Sequence, residues 1–313
     1  MASSSTRKKH PAARGTVGLD IDSAFLAAVQ AHGGVITRAV STELAPGIVH
    51  EGEVIDAAAL SEALKRFFKD NALPRRVRLG VSNQQIVVRH LEVPKLDDEK
   101  ALTAAVRFQA AEAIAMPLDE ALLDYQVVGE VMSPEGRPVL RAVVVAARAS
   151  MIDRFVEATR GAGLRPEGVD LSAFALVRAL TTRSAPEEGA QVLCHLGGTT
   201  NLAIALARSC LFTRPLSTHA EEEGEHVSAA LAEEIRLSID FYATQPDAPL
   251  VEGVRLSGPG AVRDGLIDEL SAFVGLPVSL SEPLGGLDGT AVAMDEDPYR
   301  HTVAAGLALG AAA

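Results

Sequence analysis

The chain opens with a short apolar run, Thr16-Val-Gly-Leu-Asp-Ile-Asp22, that reads as a strand entering a turn at Asp22-Ser23. A second strand returns over residues 25–30, and His32-Gly33-Gly34 supplies a hairpin turn into a third over 35–40. Residues 43–53 are rich in Gly and Pro and irregular, and Leu60, Leu64, Phe67 and Phe68 then fall at helical spacing up to Pro74. Strands follow over 77–81 and 86–93, and residues 97–115 have the acidic first turn and apolar periodicity of a long helix. A hairpin over 125–130 and 139–146 turns at Ser133-Pro-Glu-Gly136, and helices are predicted over 150–162 and 171–181.

The polar stretch Ser184-Ala-Pro-Glu-Glu-Gly189 reads as a domain boundary, and beyond it the opening pattern recurs. Residues 191–196 form a strand, Gly197-Gly198-Thr199-Thr200 a turn, 201–206 a second strand and 211–214 a third. An acidic loop over 219–226 precedes a helix over 227–244 and a strand over 253–256. A Gly-rich turn, a helix over 261–274, a strand over 277–280 and a terminal helix near 302–309 complete the pattern. This is an α/β protein (α+β by layers) whose two halves each begin with a strand-turn-strand hairpin.

The 313 residues are 48% hydrophobic but only 4% aromatic, so the core must be assembled from many small aliphatic contacts. That apolar fraction excludes an intrinsically disordered chain. A net charge of -12 argues against a nucleic-acid binder, which needs a basic face for phosphate. Two cysteines, Cys194 and Cys210, suit a reducing compartment and read as small buried hydrophobes. No apolar run approaches the roughly 18 residues of a spanning helix. Residues 1–15 carry Arg7, Lys8, Lys9 and Arg14 and are expected to be a disordered tail with a weak attraction to acidic lipid.

A Gly, Ser and Thr turn between antiparallel strands presents backbone N–H groups and hydroxyls to an anion, and two facing turns can clasp a phosphate chain. Asp22-Ser23 and Gly197-Gly-Thr-Thr200 occupy the same place in the two halves, and Ser257-Gly-Pro-Gly260 offers a third, glycine-lined junction. Each alone is also an ordinary turn; their recurrence is what points to a ligand. Asp97-Asp98-Glu99 reads as a helix start, and His219 and His226 around Glu221-Glu-Glu223 lack metal-ligand spacing.

The stretches Gly18-Leu-Asp-Ile21, Leu44-Ala-Pro-Gly-Ile-Val49, Gly80-Val-Ser82, Val87-Val-Arg89, Leu91-Glu-Val-Pro94, Gly163-Leu-Arg-Pro166, Phe212-Thr-Arg214, Ser238-Ile-Asp-Phe-Tyr242 and Leu256-Ser-Gly258 resemble, in unbroken order, the PilM family of type IV pilus assembly proteins. The resemblance implies an actin-like fold related to FtsA, with two ribonuclease-H-like halves (16–186 and 187–313) and an inserted α+β subdomain over about 43–148. It implies ATP and Mg in the cleft, held by Asp20, Asp22, Ser23, Gly197, Gly198, Thr199, Thr200, Asn201, Glu234, Gly258 and Gly260, with Asp20 toward the metal. It further implies a cytoplasmic scaffold that receives the N-terminal tail of a PilN-like inner-membrane protein, is peripheral to the membrane through that partner and can self-associate into a ring or filament. Val81, Ile86, Val88, Leu91 and Val93 are the expected partner-binding residues.

Three departures bear on nucleotide. The family pattern Asp-Ile-Gly-Ser, with a basic residue ending the next strand, here reads Asp22 for the Gly and Ala27 for the base. A carboxylate where backbone should approach phosphate is expected to repel it unless a metal intervenes. The Asp expected before the second loop is His195, a poor substitute ligand for magnesium, and the helices that enclose adenine are replaced by a short acidic loop. Little or no ATP hydrolysis is therefore expected. The alternative is an active ATPase or a small-molecule kinase of the same fold, for which Asp20 or Asp170 would be the natural base.

Overall fold

Small β-branched and aliphatic residues build two five-stranded sheets of identical plan. The computed structural model describes residues 16–133, 136–181, 189–217, 225–245, 248–282, 284 and 297–310. The first sheet contains β1 (Val17–Ile21), β2 (Phe25–His32), β3 (Val35–Glu43), β6 (Arg76–Val81) and β10 (Arg165–Leu171), in the order β10-β6-β1-β2-β3. The second contains β11 (Ala190–His195), β12 (Asn201–Leu206), β13 (Ser209–Pro215), β14 (Val251–Ser257) and β15 (Val278–Leu280), in the order β13-β12-β11-β14-β15. In each, the first three strands are antiparallel and the last two join them in parallel. The tail over 1–15, the polar segment 184–188 and the acidic loop over 219–224 lie outside the described residues.

Helices α1 (Ala57–Asp70), α3 (Ala149–Gly161) and α4 (Ser172–Thr181) complete the first half, and α5 (Glu225–Ala243), α6 (Leu266–Val274) and α7 (Thr302–Gly310) the second. Asp56 caps α1 by accepting the Ala59 N–H at 2.9 Å. The predicted helix over 261–274 is broken, because Gly265 takes a left-handed backbone (φ 78°) between a 3-10 turn at 259–262 and α6.

Each half lends its last helix to the other. Ala173, Leu176, Val177 and Leu180 of α4 pack on Leu193, Ala203 and Ala205 of the second sheet, whereas Ala304, Ala305 and Ala308 of α7 pack on Phe25, Ala27 and Val29 of the first. α4 and α7 cross so closely that a Cβ at Gly306 would stand 1.8 Å from the Ala175 carbonyl oxygen, and α7 lies so close to β1 that one at Gly18 would stand 2.1 Å from that of Ala304. The alanine-rich composition is the condition for this approach.

A third sheet stands apart: β7 (Val87–Pro94), β9 (Pro138–Arg148) and β8 (Ala121–Met132), in the order β7-β9-β8, covered on one face by α2 (Glu99–Ala113). Val93, Val106, Ala110, Ile114, Val144 and Ala146 form its own core. The separately bonded sheet thus spans 87–148, narrower than the expected 43–148. β6 lies between β1 and β10, and α1 packs with α3 in the first half's core, because their buried Val77, Leu79, Leu60 and Leu64 complete that core. The sequence reading placed no strand at β10, an edge strand broken by Pro166 and a bulge at Gly168 that weaken its pattern.

Candidate functional site

The ends of β1 and β11 bring the two predicted loops face to face. Asp22 begins a tight turn, accepting the Ala24 N–H at 2.9 Å through its own Oδ1. The same carboxylate reaches across to the other half: the Gly198 N–H donates to Oδ1 at 3.0 Å and the Thr199 N–H to Oδ2 at 3.4 Å. Ser23 backs this contact, since a Cβ at Gly198 would fall 1.9 Å from its Oγ. Beyond the expected repulsion of phosphate, Asp22 has a further role that its charge alone did not indicate. Its carboxylate is itself the anion in the amide nest, where two oxygens satisfy donors that phosphate oxygens would otherwise take.

Beneath this contact lies a cavity of about 20 Å³ lined by Asp20, Asp22, Val81, Ser82, Ser172, His195, Thr199, Asn201 and Val303, among others. Ligand pockets generally measure about 300–1,000 Å³. Asp20 is buried, and its carboxyl is held well above the usual carboxylate range, first by burial and then by the negative charge of Asp22. His195, from the other half, is pushed down to about 4 by burial, so its imidazole is neutral. Its Nδ1 lies 3.1 Å from Ser257 Oγ, while its Nε2 has no hydrogen-bond partner. Two titratable groups from opposite halves thus face one cavity, the histidine neutral and the carboxyl shifted toward its protonated form.

Ser82, at the end of β6, donates to Asn201 Oδ1 across the halves, and Asn201 in turn donates to the Thr199 carbonyl at 3.1 Å. The β4–β5 hairpin, β4 (Val49–His50) and β5 (Glu53–Val54), is pinned nearby by Asn83, which donates to the Glu51 carbonyl at 2.8 Å. At Gly52 (φ 72°) a Cβ would stand 1.7 Å from the Ser82 oxygen, so only glycine fits this closure. Sequence reasoning did not single out Ser82, Asn83 or Ser172 as cleft residues. A polar pair directly after a buried strand, Ser82-Asn83, was the available signal.

The remaining predicted residues lie around this point rather than in it. Thr200 is fully buried with an unpartnered Oγ1. Gly258 (φ 89°) lets the β14 turn pack on β11, where a Cβ would stand 2.5 Å from the Leu196 oxygen, and the Gly260 N–H donates to that oxygen at 2.9 Å. Glu234 accepts the Ser217 N–H at 3.0 Å and secures the exit from β13. Asp170 bonds Arg178 and lies 3.6 Å from Arg78, so the carboxylate named as an alternative catalytic base is engaged in ion pairs. Cys194 and Cys210 are free thiols pushed up to about 12 by burial, on β11 and β13 with β12 between them. Among the described residues no cluster of three or more His, Cys, Asp or Glu can hold a metal.

Of the predicted partner-binding residues, Val81 and Val93 are core side chains, 3% and 0% exposed, and offer no contact surface. Ile86, Val88 and Leu91 are partly buried. Among the described residues β7 pairs only with β9, and its other edge has no sheet partner there. No helix among the described residues is long and apolar enough to cross a membrane.

Two sheets of one plan, facing each other through the turns of their first hairpins and exchanging their last helices, define the actin-like fold. Solved structures agree. The chain is similar to a protein of a "PilM-PilN type IV pilus biogenesis complex" (TM-score 0.78, 24% identity, covering 95% of this chain and 98% of that one). It is similar in fold to the cytoplasmic domain of EpsL, an inner-membrane component of the Vibrio cholerae type II secretion system (TM-score 0.52, 13% identity, 94% of each chain). It also resembles MreB5 of Spiroplasma citri bound to ADP (TM-score 0.50, 11% identity, 95% of each chain). The chain belongs to the family described as type IV pilus assembly protein PilM, whose profile matches residues 18–217. A search of the curated proteins finds no match.

Proposed function

We propose that this protein is a cytoplasmic scaffold of the type IV pilus inner-membrane platform, that it binds the N-terminal tail of a PilN-like membrane protein, and that its nucleotide cleft is degenerate. Family membership and the similarity along nearly the whole chain to a protein solved in a PilM-PilN complex support the first two points. An extended tail could add to the edge of β7 that has no sheet partner among the described residues, with Ile86, Val88 and Leu91 beside it.

The observation that carries the third point is the seating of Asp22 on the Gly198 and Thr199 amides. ATP with Mg does not fit the residues as they stand: the phosphate nest already holds a carboxylate, the cavity is about 20 Å³, and burial together with the neighbouring Asp22 shifts Asp20 away from the anionic form a metal ligand needs. Titration with a synthetic peptide of the partner's N-terminal tail tests the scaffold reading. Saturable binding of equal strength with and without Mg-ATP is expected, and an absence of saturable binding would overturn it.

A further inference from the structure

Although the protein carries a net charge of -12, one end of the first half is basic. β1, β6 and β10 run parallel and start together: Arg165 lies opposite Arg76 in register, and the Arg165 N–H donates to the Arg75 carbonyl at 2.7 Å. α1 and α3 deliver the chain to the starts of β6 and β10 through the short connections 71–75 and 162–164, which places the last turns of these helices at the same end. Arg66, Lys69, Arg75, Arg76, Arg160 and Arg165 are exposed there. Only Arg76 is compensated, by Glu167; the other five side chains make no ion pair with any described residue. Asp70 and Glu157 are the other exposed acids of this end, fewer than its cations.

The chain also enters the fold at this end. Thr16, whose hydroxyl donates to Glu167 at 2.6 Å, is the point of attachment for residues 1–15, which contain Arg7, Lys8, Lys9 and Arg14 and no acidic residue. Uncompensated cations gathered on strand starts and helix ends present a broad basic end, complementary to a sheet of negative charge. Clusters of Lys and Arg of this size are attracted to the anionic lipids of a cytoplasmic leaflet.

We infer that this end of the first half is a direct docking surface for an anionic phospholipid membrane, independent of any protein partner. It rests on the scaffold reading only in supposing that the protein works beside a membrane. Docking there would orient the subunit, with the starts of β1, β6 and β10 toward the lipid.

Co-sedimentation of the full chain with phosphatidylcholine vesicles, with and without phosphatidylglycerol, tests this inference. Binding is expected only with phosphatidylglycerol, and it should vanish near 1 M salt, where the Debye length is about 3 Å. The Arg75→Glu/Arg165→Glu variant should weaken it by at least about tenfold at unchanged melting temperature, with Lys69→Glu/Arg160→Glu as a second pair if the first does not fold. Equal binding to neutral vesicles, or none to anionic ones, would overturn the inference. So would binding that ignores both pairs and is lost only on neutralising the four cations of residues 1–15, or a stronger charge-dependent association with duplex DNA. The partner peptide, titrated against the same variants, reports separately on the scaffold reading and should bind them as it binds the parent protein.

Discussion

The two hairpin turns at the cleft are products of the same sheet plan, yet they contribute opposite chemistry. The β1–β2 turn supplies a carboxylate, Asp22, and the β11–β12 turn supplies the amides of Gly198 and Thr199 that receive it. One step back along each strand the contrast recurs, with buried Asp20 on one side pushed toward its neutral acid and buried His195 on the other pushed toward its neutral base. A two-fold arrangement of anion-binding turns has become a donor and acceptor that satisfy each other. The two connections also differ in length, three residues (22–24) in the first half and five (196–200) in the second, and it is the shorter one that reaches across with a side chain.

The largest expected effect breaks the frame that holds the turns together. Gly306→Leu would drive a side chain into Ala175, and a loss of about 3 kcal/mol or more is expected from the urea midpoint. Next is pH. His195 and His301 are both pushed down to about 4, chiefly by burial. Each unfolded histidine takes up a proton near pH 6.5 and the folded ones do not, so stability is unaffected above that pH, falls between 6.5 and 4, and levels off below. The loss is roughly 3 kcal/mol per histidine, and His195→Gln should remove its share in thermal melts across that range. Asp20, raised from its ordinary value of 3.8, acts in the opposite sense, because its folded form keeps a proton that the unfolded form releases.

Asp22→Ala removes the anion from the nest and should cost about 2 kcal/mol in chemical denaturation. Gly198→Ala, whose methyl would meet Ser23 Oγ and Asp22 Oδ1, attacks the same contact from the other half at a cost of about 1–3 kcal/mol. The smallest effect sharpens the comparison most: Ser23→Ala, one residue along from Asp22, should stay within about 0.5 kcal/mol. Equal losses for Ser23→Ala and Asp22→Ala would mean that the turn, rather than the carboxylate, joins the halves.

Much of this arrangement was legible in the chain. The recurrence of strand, polar turn and strand at 16–30 and 191–206 predicts two similar sheets, and the turns do face each other. The amphipathic spacing of Leu60, Leu64, Phe67 and Phe68 marks the buried face of α1. The exchange of α4 and α7 was not legible, because helices rich in Ala, such as 302–310, have no narrow apolar stripe to show which sheet they cover. The role of Asp22 was half legible: its charge was evident, but whether a carboxylate repels a ligand or replaces one depends on how close the opposite amides come. His195 was identified as a departure, whereas its neutral state follows from burial that only the fold reveals.

The most direct test is a calorimetric titration of the parent protein and Asp22→Ala with a non-hydrolysable ATP analogue and magnesium. With the carboxylate seated in the nest, the parent should give no saturable heat, and the variant, its amides released, should bind an anion measurably better. Micromolar binding by the parent, about -8 kcal/mol, would contradict the account.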